Sequence, residues 1–129
     1  VGSEMCIRDS IHPVICSLSH DGNGQLLNTN ADTIASKFAI ELSSIYDVTL
    51  KFCFDKGGVL TNQNDSSTII SSININDYES LINQNIITDG MIPKIENCFN
   101  ALKKGVKNIL MGDHDIIKNE KDCTKLTLN

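Results

Sequence analysis

Apolar residues recur at helical spacing in two stretches of this chain. In "NADTIASKFAIELSSIY", Ile34, Phe38, Leu42 and Ile45 form one stripe behind Asn30, whose side chain can cap a helix N-terminus. In "TDGMIPKIENCFNALKKG", Met91, Ile95, Cys98, Phe99 and Leu102 form another, which predicts a helix from Asp89 to Lys104. Pro93 sits in its first turns, where a missing N–H is tolerated, and Gly105 follows its last. A shorter helix is expected in "NINDYESLINQN", capped by Asn76.

Between these helices the pattern changes to strands. "DVTLKFCF" and "GVKNILMG" are apolar runs with few polar breaks, the pattern of strands covered on both faces, and "STIISSI" and "CTKLTLN" read as shorter strands. "PVICSLSHDGNGQLLNTN" holds two β-rich runs around Asp-Gly and Asn-Gly pairs, which supply the positive φ of a tight hairpin. "DKGGVL" is a glycine turn and "TNQNDSST" a polar loop. Strands alternating with helices predict an α/β domain with a mostly parallel sheet flanked by helices.

The first ten residues, "VGSEMCIRDS", follow neither period and join abruptly to "IHPVICSLS". "EMCIRDS" resembles a translated sequencing-library adaptor, so residues 1–10 are expected to be an artefact outside the fold and the domain to span 11–129.

Composition narrows the function. The chain has 129 residues, 40% hydrophobic and 21% charged, enough for one globular domain. A net charge of −5 without a Lys/Arg cluster argues against nucleic acid or an anionic membrane as partner and favours small molecules. No apolar run approaches the ~20 residues needed to cross a bilayer, and the chain reads as cytoplasmic. Five cysteines without a C-x-x-C pair suggest buried, reduced thiols, and "GDHD" at 112–115 is an isolated ligand-like run. No Walker A or G-x-G-x-x-G motif occurs.

In open parallel sheets, ligands bind beyond the carboxyl ends of strands, where loops and helix N-termini meet. Three segments qualify: "LNTNAD" at 27–32, "FDKGGVL" at 54–60 and "IITDGMIPK" at 86–94. Each has a plainer reading alone: turn and cap residues, a turn, and a solvated lysine. Lys94 stands out, because a cation gains nothing from the positive end of a helix dipole. It lies about 40° from Cys98 on a helical wheel, at the edge of the apolar stripe.

Taken together, "LLNTNADTIAS", "DKGGVL" and "IITDGMIPKIENCFNAL" resemble the carboxyl-terminal half of acetylglutamate kinases, within the amino acid kinase family. The resemblance covers residues 11–129 and implies the ATP-binding half of a three-layer sandwich. It also implies ATP-dependent phosphorylation of the side-chain carboxylate of N-acetyl- or N-succinylglutamate, in arginine biosynthesis. By motif position Asn28 would hold the acylglutamate, Lys94 would stabilise the transferring phosphoryl group and Asp32 would orient the catalytic lysines. Asp55, Lys56, Gly57, Gly58, Val59 and Leu60, with Ile86, Ile87 and Thr88, would line the ATP site. Magnesium is expected on the phosphates, without a protein ligand. The full-length form is expected to be a homodimer.

Family members are roughly twice this length, so the amino-terminal half, with a second catalytic lysine, is expected to lie upstream and the fragment to be inactive. "CTKLTLN" is similar to the family's final Gly-Thr strand, with Cys123 at the glycine position, so the carboxyl terminus is expected to be complete. Phe54 stands where the family has a small residue. Residues 46–60 look more like the branch associated with N-succinylglutamate. Two alternatives stand beside this: a non-catalytic nucleotide-binding remnant, and a kinase for another acid such as aspartate or carbamate.

Overall fold

A computed structural model of the chain describes residues 12–88 and 90–129. Residues 1–10 and Asp89, the expected start of the third helix, lie outside the described residues. A hairpin of β1 (Leu18–His20) and β2 (Leu26–Asn28) leads into α1 (Ala31–Ser43) and β3 (Thr49–Cys53). Then come β4 (Ser72–Asn74), α2 (Ile75–Asn83), α3 (Ile92–Lys103), β5 (Asn108–Gly112), a 3-10 turn (His114–Ile117) and β6 (Thr124–Thr127).

The hairpin turns through Gly22 and Gly24, both at positive φ, while the Asp21 carboxylate accepts from the backbone N–H groups of Asn23 and Gln25. The other strands form one sheet in the order β3-β5-β6-β4. β3 pairs with β5 and β4 with β6 in parallel, and only β5 and β6 are antiparallel. With three helices among the described residues, this is an α/β fold on a mixed, mostly parallel sheet.

α1 and α3 pack together over one face, where Ile95, Cys98 and Phe99 of α3 meet Phe52, Ile109, Met111 and Leu126 in one core. α2 joins them through Tyr78, whose ring meets Phe99 edge-on at 5.4 Å. The 3-10 turn lies across β3 and β5 and buries Ile116. It is held there by Lys51, which donates to the Ile116 carbonyl at 2.8 Å and pairs with Glu120 at 3.0 Å.

Four expectations change. The buried residues of α1 are Ser36 and Ala39, not the bulky stripe: small side chains let α1 approach α3 closely, while Phe38 and Ile45 stay exposed. β3 buries only Phe52, because it is an edge of the sheet. The cap of α2 is Asn74, whose side chain accepts from the N–H groups of Asn76 and Asp77; Asn76 is one of the residues being capped. Of the thiols, Cys98 is buried, Cys123 half-buried, and Cys16 and Cys53 are exposed and unpaired.

Candidate active site

Lys94 and Asp32 are brought together from helices 62 residues apart. Asn30 caps α1 by accepting from Asp32 N at 2.8 Å and Thr33 N at 3.3 Å, which fixes Asp32 in the first turn. Lys94 is the third residue of α3, whose N-terminus is stapled by Met91 N donating to the Thr88 carbonyl at 2.8 Å. Lys94 Nζ then donates to both Asp32 carboxylate oxygens at 2.7 Å. The side chains are 20% and 27% exposed, so the pair is shielded but reachable.

Beneath the pair the seam between the helices closes. Cys98, one turn below Lys94, is fully buried, and burial pushes its thiol up to about 12, with Lys94 drawing it down and Asp32 adding a smaller upward push. It is a neutral packing group, not a nucleophile. Ser36, one turn below Asp32, is buried with its hydroxyl unpaired.

A cavity of ≈ 200 Å³ opens at the carboxyl end of β3; neither Lys94 nor Asp32 lines it, and Met91, three residues before Lys94, is the link between the two. Asp55, Lys56, Gly58, Val59 and Leu60 line one side, and Ile86 and Thr88 the other. Gly57 and Ile87 stand apart from it: a Cβ on Gly57 would face Ile69, and Ile87 is in the core. Asn28 is exposed at the end of β2, short of the α1 cap. Phe54, Gln63 and Met91 complete the cavity wall. Met91 was legible only as part of a helical stripe, and Gln63 sits in a polar loop whose pattern carries no signal.

The glycine of this loop is required by packing. A Cβ on Gly58 would lie 2.7 Å from Thr124 Oγ1 and 2.8 Å from Ile69 Cγ2. That close approach lets the buried Thr124 hydroxyl accept from Val59 N at 2.8 Å, tying the loop to β6. Cys123 lines a separate cavity with Ser66, Ser67 and Asp122. In "GDHD", Asp113 caps the 3-10 turn by accepting from Asp115 N.

The arrangement holds a partly apolar cavity and, three residues beyond its Met91 wall, a shielded cation that carries its own counter-ion. Such a cation can face an anionic ligand without leaving a buried charge unpaired before the ligand arrives. Among the described residues no group of three or more His, Cys, Asp or Glu could hold a metal ion.

Comparison with known proteins points to one family. A family model described as "Amino acid kinase family" matches residues 3–113. The acetylglutamate kinase of Phocaeicola vulgatus is 48% identical over 105 residues, 81% of this chain and 41% of that protein. That of Cytophaga hutchinsonii is 41% identical over 128 residues, 95% of this chain and 48% of that protein. The crystal structure of smu.665 from Streptococcus mutans UA159 superposes with a TM-score of 0.72 at 32% identity, over 85% of this chain and 42% of that one. The chain thus spans under half the length of these relatives.

Proposed function

The chain belongs to the amino acid kinase family, and from that membership we propose that the full-length protein transfers the γ-phosphoryl group of ATP to the side-chain carboxylate of an N-acylglutamate. A carboxylate oxygen attacks the γ-phosphorus, the bond to the bridging oxygen breaks, and ADP leaves an acyl phosphate behind. Transfer of this kind spreads negative charge over the phosphoryl oxygens and needs positioned cations more than covalent help.

The observation that supports this reading best is the pair formed by Lys94 of α3 and Asp32 of α1, three residues along the chain from Met91 in the cavity wall. Lys94 is the cation for the moving phosphoryl group, and Asp32 holds it in place and offsets its charge between turnovers. Asn28 takes the acylglutamate. Asp55, Lys56, Gly58, Val59 and Leu60 with Ile86 and Thr88 form the nucleotide side, and Gly57 and Ile87 serve it only through the backbone and the core behind it. The apolar wall of Phe54, Leu60 and Met91 suits a base, and Asp55, Lys56 and Thr88 suit its polar end. The cavity is smaller than the roughly 300–1,000 Å³ of a typical ligand site, so it takes part of the nucleotide. Magnesium would be held by the nucleotide phosphates, where it would neutralise part of their charge.

Residues 11–129 form the nucleotide-binding half of the domain, and the chain alone is inactive. The complete protein is a cytoplasmic homodimer acting in arginine biosynthesis. The acceptor is N-acetyl- or N-succinylglutamate, and the resemblance of residues 46–60 favours the succinyl compound. The test is ADP release by the full-length protein with each acylglutamate, with aspartate and carbamate as controls. We expect turnover with an acylglutamate and a higher kcat/KM for N-succinylglutamate. A clear preference for the acetyl compound rejects the finer assignment, and turnover only with a control acid, or with none, rejects the reading itself.

A further inference from the structure

Phe52 lies on β3 at 5% exposure, within the same core cluster as Ile95 and Cys98 of α3. Its ring also faces upward to charge: Lys94 Nζ stands over it, 5.0 Å from the centroid. The ammonium is therefore held from two sides, by the Asp32 carboxylate at 2.7 Å and by an aromatic face. We propose that Phe52 is a positioning residue for Lys94, holding the ammonium by cation–π attraction while its other partner gives way to the phosphoryl group. This rests on the phosphoryl-transfer reading above.

The two holders differ in what they do to the charge. Asp32 neutralises the cation and, being anionic, repels an incoming phosphoryl group at the same ammonium. The Phe52 ring carries no net charge; its negative face attracts a cation within about 6 Å, and it cannot compete for a proton. Phe52 is thus the contact that persists while Lys94 turns from carboxylate to phosphoryl oxygen. A leucine in its place fills much of the same volume and offers no such face. Ring position alone also makes Phe52 a core residue, so the test must change the face and spare the packing.

The experiment uses the full-length protein with 4-fluoro-, 3,5-difluoro- and 3,4,5-trifluorophenylalanine at position 52, and Phe52→Leu beside them. Fluorine draws electron density from the ring face with little change of shape. We expect kcat to fall stepwise with each fluorine, by about 2–30-fold in total as the range of cation–π strengths implies. The KM for ATP should stay within about twofold, because positioning matters most as charge moves in the transition state. The same series at Phe99, whose ring meets Tyr78, should leave kcat flat. The ε-methylene protons of Lys94 should be shifted upfield by the ring, and Phe52→Leu should abolish that shift, independently of any activity. A flat kcat series at position 52, or Lys94 protons without the upfield shift, overturns the proposal. If Lys94→Ala itself leaves kcat unchanged, the phosphoryl-transfer reading fails and Phe52 falls with it; if Lys94→Ala is crippled and the fluorine series is flat, only the role of Phe52 fails.

Discussion

Gly58 and Cys98 show how single positions constrain this site in opposite ways, one by lacking a side chain and one by burying its own. A methyl group on Gly58 would push into Thr124 Oγ1 and Ile69 Cγ2. Gly58→Ala should therefore destabilise the fold by about 1–3 kcal/mol, as overpacking does, and raise the KM for ATP by moving the loop off β6. Urea denaturation and steady-state kinetics check both, and an unchanged KM with lowered stability would separate the loop from nucleotide binding. For Cys98 the sign is set by burial. Its folded-state value of about 12 stands above the ordinary 9.0, so the folded protein holds this proton where the unfolded chain releases it. The stability this contributes is whole below about pH 9 and is lost as pH rises toward 12. Near pH 8.5, iodoacetamide should modify the exposed Cys16 and Cys53 and leave Cys98 untouched until urea is added. Native-state labelling of Cys98 at the rate of Cys53 would contradict the packed seam.

At the scale of elements, the caps carry the most local information and are the easiest to test. Asn30→Ala and Asn74→Ala each remove an acceptor for two N–H groups and should each cost about 1 kcal/mol. Asn76→Ala should cost far less, and thermal melts of the three variants compare them directly; equal losses at 74 and 76 would move the cap. The same comparison shows what was legible in the sequence. The hairpin and the end of α3 were, because they are written in local chemistry: Gly22 and Gly24 at positive φ, and Gly105 at a φ of 103° past the last turn. The pattern puts the start of α3 at Asp89, and it lies at Ile92, behind Met91 as cap. The buried face of α1 was not, because it is chosen by what α3 presents to it, and closeness of approach favoured Ser36 and Ala39 over Ile34 and Phe38. The exposure of β3 was hidden for a similar reason, since an edge strand and a central one share a composition and differ only in neighbours. The candidate site divides likewise. Loop 55–60 and residues 86–88 were marked by motif, whereas Gln63 and the cation–π role of Phe52 depend on chain segments meeting from afar.

At the scale of the whole molecule, apolar surface is left uncovered around the hairpin and α1. Ile15, Cys16, Ala31, Ile34 and Phe38 line a cavity of ≈ 350 Å³, next to a hairpin whose Leu18 and Leu26 are 60% and 75% exposed. β3 adds an edge that no other described strand pairs. Patches and open edges of this kind invite association, and the chain spans 41% and 48% of its Phocaeicola vulgatus and Cytophaga hutchinsonii relatives. We expect the 129-residue chain alone to bind ANS and self-associate in light scattering. A monomer that stays dark with ANS would show that this side needs no cover. The central claim, that Lys94 acts on a phosphoryl group in transfer, is tested most directly by steady-state kinetics of the full-length protein carrying Lys94→Ala, with Lys103→Ala from the last turn of the same helix as control. Lys94→Ala should lower kcat by about 10²–10³ with a much smaller change in the KM for ATP, while Lys103→Ala stays near wild type. Indistinguishable kinetics for the two variants would make Lys94 an ordinary helix lysine and contradict the account.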